Sequence, residues 1–188
     1  MSRAVIIAAL LQLFPHLKGT GKAETYAFLI KLESERSGVA IKYIVGRTYI
    51  ESRFHNVKSK RFGCRWRKVP SYRKGPVYYC RQSFGIMQSE ITPVTNPVFM
   101  GFEEEFMNEA IAFRVGTAAL AYWQNWHRRK CKKRGKHRCR GPWFLHYKYG
   151  YKIPKKKQRK PGKRYKMERF MRKWQRLIRR LKAKRNMS

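Results

Sequence analysis

Glu51 is the residue best placed in this chain for acid–base chemistry. It stands in Tyr49-Ile50-Glu51-Ser52-Arg53-Phe54, at the end of a strongly apolar stretch, 39–53 (VAIKYIVGRTYIESR), whose pattern predicts a helix. Flanked by Tyr49, Ile50 and Phe54, the side chain escapes full solvation at a helix C-terminus, a setting suited to a general acid. Arg47 and Arg53 act in the opposite sense if they approach it. A second signal is Ser83-Phe84-Gly85-Ile86-Met87-Gln88, a compact turn that ends on a polar amide.

The elements that must hold these residues read as mostly α. Residues 3–14 (RAVIIAALLQLF) predict a short apolar helix stopped by Pro15; Arg3 before an apolar stretch also fits a signal peptide, but no small-x-small cleavage site follows cleanly. Residues 22–37 predict a helix with Ala23, Tyr26, Ala27, Ile30 and Leu32 on one side, ending near Gly38. Residues 103–126 predict another, with Phe106, Ala110, Phe113, Gly116, Thr117, Leu120 and Trp123 as its buried stripe. Almost nothing reads as a long alternating strand, and there is no internal repeat.

The charge is large and unevenly placed. Of 188 residues 46 are Lys or Arg and ten are acidic, for a net +36. Segment 58–81 holds nine basic residues and no acid, and Pro70, Gly75 and Pro76 mark it as a basic loop. Segment 127–188 holds 28 basic residues against Glu168 alone, so the rest of the chain is neutral. Such fields attract polyanions: nucleic acid, anionic membrane, lipopolysaccharide or an anionic cell wall. Within the second segment, 152–164 reads as a stiff Pro-containing linker. After it, Tyr165, Met167, Phe170, Met171, Trp174, Leu177, Ile178 and Leu181 recur at helical spacing opposite a face of Arg and Lys. This basic amphipathic helix either docks its stripe on the body or presses it into an anionic membrane surface. An apolar content of 43% with 14% aromatic residues excludes a wholly disordered polycation, and no apolar run reaches bilayer-spanning length.

Taken together, Glu51-Ser52-Arg53-Phe54 and Ser83-Phe84-Gly85-Ile86-Met87-Gln88 resemble the soluble lytic transglycosylases of the lysozyme-like superfamily. That family has a Glu-Ser pair closing a buried helix and then a Gly-Leu-Met-Gln turn. Ala112-Phe113-Arg114-Val115-Gly116 followed by Leu120 is similar to its Asn-Ile-x-x-Gly helix, and His146-Tyr147-Lys148-Tyr149-Gly150 to its Ala-Tyr-Asn-x-Gly segment. The likeness covers about 22–150 in order, with the basic loop as an insertion. Two departures stand out: Ala112 and Lys148 replace family asparagines, the first altering helix packing and the second placing a cation near the sugar.

The resemblance implies a mainly α, lysozyme-like single domain over 1–150, carrying a basic insertion, with a basic linker and amphipathic helix over 151–188. It implies cleavage of the β-1,4 bond between N-acetylmuramic acid and N-acetylglucosamine in peptidoglycan glycan strands. Glu51 would be the catalytic acid and base, and Ser83, Gln88 and Tyr147 would contact substrate. Turn stabilisation remains the other use of Gln88, and core packing that of Tyr147. No cofactor or catalytic metal is implied. Two-carboxylate glycosidases need a second acid, yet every acid here is Glu and there is no Asp. None of the other glutamates sits in a pattern resembling a second catalytic position, although Glu90 closely follows the turn. One-carboxylate chemistry is therefore favoured over a hydrolytic lysozyme on the same fold. The compact form suits a phage virion enzyme with virion assembly partners, acting in the host periplasm, or an exported bacterial envelope enzyme. The rival from another class is a nucleic-acid-binding structural protein of a virion.

The cysteines fall into two sequence-near pairs, Cys64/Cys80 and Cys131/Cys139, each bracketing basic residues. Loop-closing disulfides suit an exported or virion protein. Zinc held by His127, Cys131, His137 and Cys139 is the alternative, although their spacing departs from the usual paired pattern. His16 and His55 have no assigned role.

Overall fold

The structure is a computed structural model that describes residues 1–59, 62–68, 76–90, 102–134, 143–145 and 162–185, with the backbone alone at 62–68, 76–81, 131–134, 145 and 162–165. Among the described residues it is mainly helical. Two compact units are formed, one from Met1–Ile50 with Thr117–Ser188 and the other from Glu51–Gly116.

In the first unit, helix α1 (Arg3–Leu13) buries Val5, Ile6, Ala9 and Leu10 and gives way to a 3₁₀ turn at Pro15–Leu17. Proline lacks an N–H and so fits the first position of that turn but could not have continued α1. Helix α2 (Lys22–Ser37) ends at Gly38, as its sequence predicts, and buries Ala23, Tyr26, Ala27, Leu29, Ile30 and Glu33. Leu32, expected on that face, is half-buried; buried Glu33 keeps its charge paired by accepting a bond from Arg36 Nη1 at 3.1 Å. Helix α3 (Ile41–Ser52) buries Ile44–Thr48, and the division between units falls just before its Glu51.

Helix α4 (Glu109–Arg134) starts six residues later than its sequence suggested. Asn108 explains the start: its Oδ1 accepts the backbone N–H groups of Ala110 and Ile111, while Glu103–Met107 forms a separate 3₁₀ turn. Of the predicted stripe Phe106, Phe113, Gly116, Thr117 and Leu120 are buried, Trp123 is half-buried and Ala110 faces solvent, with Ala112 buried in its stead.

The C-terminal helix α5 (Gly162–Arg185) begins within the expected linker, whose 152–161 portion lies outside the described residues. Its apolar stripe belongs to the core of the first unit. Met167, Phe170, Met171, Trp174 and Ile178 are all buried, and α5 packs on α1. Phe170 stacks on Tyr49 with centroids 4.0 Å apart and planes 12° apart, and Phe14 lies against both rings. Met167 and Met171 cluster with Phe144, with Tyr43, Ile50 and Trp143 packed around them. Each such apolar side chain contributes about 1.5–3 kcal/mol of transfer free energy when fully buried, so the stripe is a structural element. Of the two uses foreseen for this helix, the structure has the docked one. No helix of the described residues is long and apolar enough to cross a membrane.

The second unit corrects the reading of 58–81 as a loop. Strands β1 (Phe62–Lys68) and β2 (Pro76–Arg81) pair antiparallel, from Lys68 opposite Pro76 to Arg65 opposite Tyr79, with a register shift between Phe62 and Arg65. Trp66, Val77, Tyr78 and Tyr79 are strand formers, and Pro76 opens β2, where a missing N–H is tolerated. Cys64 and Cys80 each lie one position beyond the Arg65–Tyr79 pair, on facing strands. The side chains of both lie outside the described residues. A second, two-residue pairing joins β3 (Ser83–Phe84) to β4 (Ser89–Glu90) around the turn 85–88.

Candidate active site

The second unit holds three of the four residues singled out above. Glu51 is half-buried on the last turn of α3, and the helix stops because Arg53 and Phe54 both take left-handed backbone, with φ of 53° and 65°. Phe54 folds inward and is 1% exposed. Beside Glu51, Ser52 Oγ donates to the carbonyl of Ile86 at 2.6 Å. That bond ties the Glu51-Ser52 pair to the Phe84–Gln88 turn across 34 positions of sequence.

The turn has little freedom to be anything else. Gly85 is left-handed, with φ of 71°, and a Cβ there would lie 2.1 Å from the carbonyl oxygen of Phe106 and 2.9 Å from Ala112 Cβ. Ala112, where the family resemblance has Asn, is thus pressed against the turn, and a larger side chain would meet it. Ile86 and Met87 are fully buried, and Met87 covers Gly116 so closely that a Cβ on that glycine would come within 2.6 Å of Sδ. Phe84 and Phe106 form a buried pair with Ile111 and Val115 packed on them.

Gln88 is left-handed as well, with φ of 50°, and its Nε2 donates to the carbonyls of Val57 at 2.6 Å and Gly85 at 2.9 Å. Its amide nitrogen is spent on the turn, so Gln88 could meet a sugar only as an acceptor, through Oε1. Both uses foreseen for this residue remain compatible with its position. Ser83 is half-buried on β3; its N–H donates to Ser59 Oγ at 2.9 Å and its carbonyl accepts the N–H of Ser59 at 2.8 Å. Arg53, Phe54 and Gln88 are the non-glycine residues with positive φ among those described, and all three fall in the two motifs. Each costs roughly 1–3 kcal/mol, a strain that persists only where the surroundings over-determine it. Tyr147, with Lys148 beside it, lies outside the described residues.

A brace that residue types do not announce supports the turn. Residues 55–59 run alongside the turn: Val57 and Ser59 hold Gln88 and Ser83, Gln82 Nε2 donates to the Ser59 carbonyl at 2.6 Å, and Asn56 Nδ2 donates to the Met107 carbonyl. Most of these bonds use backbone atoms, which leave no mark in residue type or spacing.

No protein-family model, curated protein or solved structure matches the chain. Among the described residues no group of three or more His, Cys or Glu could hold a metal ion. Of the zinc alternative, His137 and Cys139 lie outside the described residues and Cys131 is described by its backbone alone. Two cavities, of about 720 and 380 Å³, are both lined by residues of the first unit and do not include Glu51, Ser83 or Gln88. Size alone would point to them, but neither contains a motif residue, and only the second is lined by an acid, Glu35, which forms an exposed pair with Lys31 at 3.5 Å. The chemistry is better sought at Glu51.

Ser52→Ala isolates the bond between the motifs. It should lower stability by about 1 kcal/mol, the net worth of one such hydrogen bond. A midpoint of chemical denaturation equal to that of the parent protein contradicts the assigned bond.

Proposed function

We propose that the chain is a peptidoglycan lytic transglycosylase of lysozyme-like fold, with Glu51 as its catalytic acid and base. The observation that carries this reading is the Ser52 Oγ–Ile86 bond, which brings a Glu-Ser helix end and a Gly-x-Met-Gln turn into one folded unit. Among the described residues the non-glycine residues with positive φ all fall in those motifs, which supports it, since strained backbone concentrates where geometry is functional.

In the proposed reaction Glu51 first donates its proton to the glycosidic oxygen as the bond to the N-acetylmuramic acid C1 breaks. The resulting carboxylate then removes the proton of the C6 hydroxyl of the same sugar. The freed oxygen attacks C1 and closes a 1,6-anhydro ring, returning Glu51 to its protonated form. Both steps use one carboxyl and neither consumes water. Ser83 and the Oε1 of Gln88 would contact the sugar near the glutamate. The basic segments outside α5 would hold the enzyme near anionic wall or membrane components.

Purified sacculi incubated with the protein should release soluble muropeptides. Release no greater than in buffer, under both reducing and oxidising conditions, would sink the assignment.

A further inference from the structure

We propose that the solvent face of α5 binds the phosphate backbone of nucleic acid without reading its sequence. The proposal goes beyond the peptidoglycan reading and does not depend on it.

The apolar face of α5 is already in use. An interfacial helix holds a bilayer by sinking its apolar face among the acyl chains. In α5 that face is occupied: Met167, Phe170, Met171, Trp174 and Ile178 are each 7% exposed or less. What faces solvent is cationic. Between 166 and 185 ten Lys or Arg are exposed, six of them Arg, and the one acid in that span, Glu168, is half-buried. Arg172, Arg176 and Arg180 recur every fourth residue and so form a line along the helix, about 6 Å apart.

Charge density and chemistry then favour one polyanion. Ten cations over a length of about 30 Å give one per roughly 3 Å of axis, against about one phosphate per 1.7 Å of duplex. A convex helix touches a flat bilayer along a narrow line and, without apolar insertion, gains only about 1 kcal/mol for each cation at the surface. A duplex backbone is itself a dense curved row of phosphates, and the planar guanidinium fork takes two phosphate oxygens at once. The cationic surface also extends past α5. Lys42, at the start of α3, and Arg179 line the 720 Å³ cavity, and none of its lining residues is acidic.

Deleting α5 would remove core, so charge reversal is the appropriate probe. Arg172→Glu/Arg176→Glu/Arg180→Glu is compared with Lys18→Glu/Lys22→Glu/Arg114→Glu, which has the same net charge and also alters exposed side chains. Circular dichroism confirms that both fold. Binding of full-length protein to ~30-bp duplexes of two unrelated sequences is measured from about 50 to 300 mM salt. The two sequences should bind alike, with log K falling against log salt at a slope near −5. The α5 variant should bind at least about tenfold more weakly than the control variant and flatten the slope by about 2–3. Phosphatidylglycerol–phosphatidylcholine vesicles of equal anionic charge should displace duplex poorly, and Glu51→Gln should bind duplex as the parent does. Equal losses in the two triple variants, displacement by vesicles as effective as by competing duplex, or no duplex binding overturns the proposal.

Discussion

Glu51→Gln should reduce muropeptide release from purified sacculi by at least about a thousand-fold. Acid–base assistance by one positioned side chain is worth about 10²–10⁴ in rate, and here one carboxyl is asked to act first as acid and then as base. Glutamine keeps the shape and the capacity to accept a hydrogen bond, but it can neither release a proton to the glycosidic oxygen nor take one from the C6 hydroxyl. Thermal unfolding of the variant, measured beside activity, separates chemistry from fold: release should be lost in a protein that still unfolds cooperatively. The informative partner is Glu90→Gln. Glu90 lies on β4, next to the turn and opposite Ser83. A one-carboxylate mechanism predicts activity within about twofold of the parent, whereas a hydrolase using Glu90 as its second acid would lose two or more orders of magnitude.

The largest structural effect is expected at Gly85. Its φ of 71° is left-handed, and the Cβ of an alanine would stand 2.1 Å from the Phe106 carbonyl oxygen. Left-handed backbone costs alanine about 1–2 kcal/mol, and backbone displaced by overpacking adds about 1–3 kcal/mol. Gly85→Ala should therefore destabilise the protein by about 3 kcal/mol or more, a fall in melting temperature of roughly 6–12 °C for a chain of this size. Because Ala112 lies 2.9 Å from the same position, the strain would fall directly on the turn that carries Gln88. Gly19→Ala is the control: φ is 71° there too, yet nothing lies within 4 Å of the added carbon, so only the backbone cost applies. Equal melting temperatures for the two variants would mean that the close packing of the turn has been misjudged.

What could be read from the sequence follows from where each signal resides. Helix α2 was legible to its last residue because apolar spacing and Gly38 agree. The pattern of α5 revealed a helix but not its destination, since an apolar stripe that suits a protein core suits a bilayer surface equally well. Strands β1 and β2 are hard to read because the apolar positions of β1, Phe62, Cys64 and Trp66, form only a short alternation within a dense basic run, and Pro70 and Gly75-Pro76 read as breakers. The premature start assigned to α4 reflects three good helix formers, Glu103–Glu105, that precede the residue which actually caps it, Asn108. At the candidate site the two motifs were visible as strings of residues. Their juxtaposition was not, because it depends on Ser52 reaching a backbone carbonyl and on Gln88 reaching two others.

The end group of the released sugars tests the central claim most directly. Mass spectrometry of muropeptides from sacculi digested by the protein should find 1,6-anhydro-N-acetylmuramic acid ends, the mark of ring closure by the substrate's own C6 hydroxyl under a single carboxyl. Reducing ends carrying the oxygen of water, or no released muropeptides at all, would contradict it.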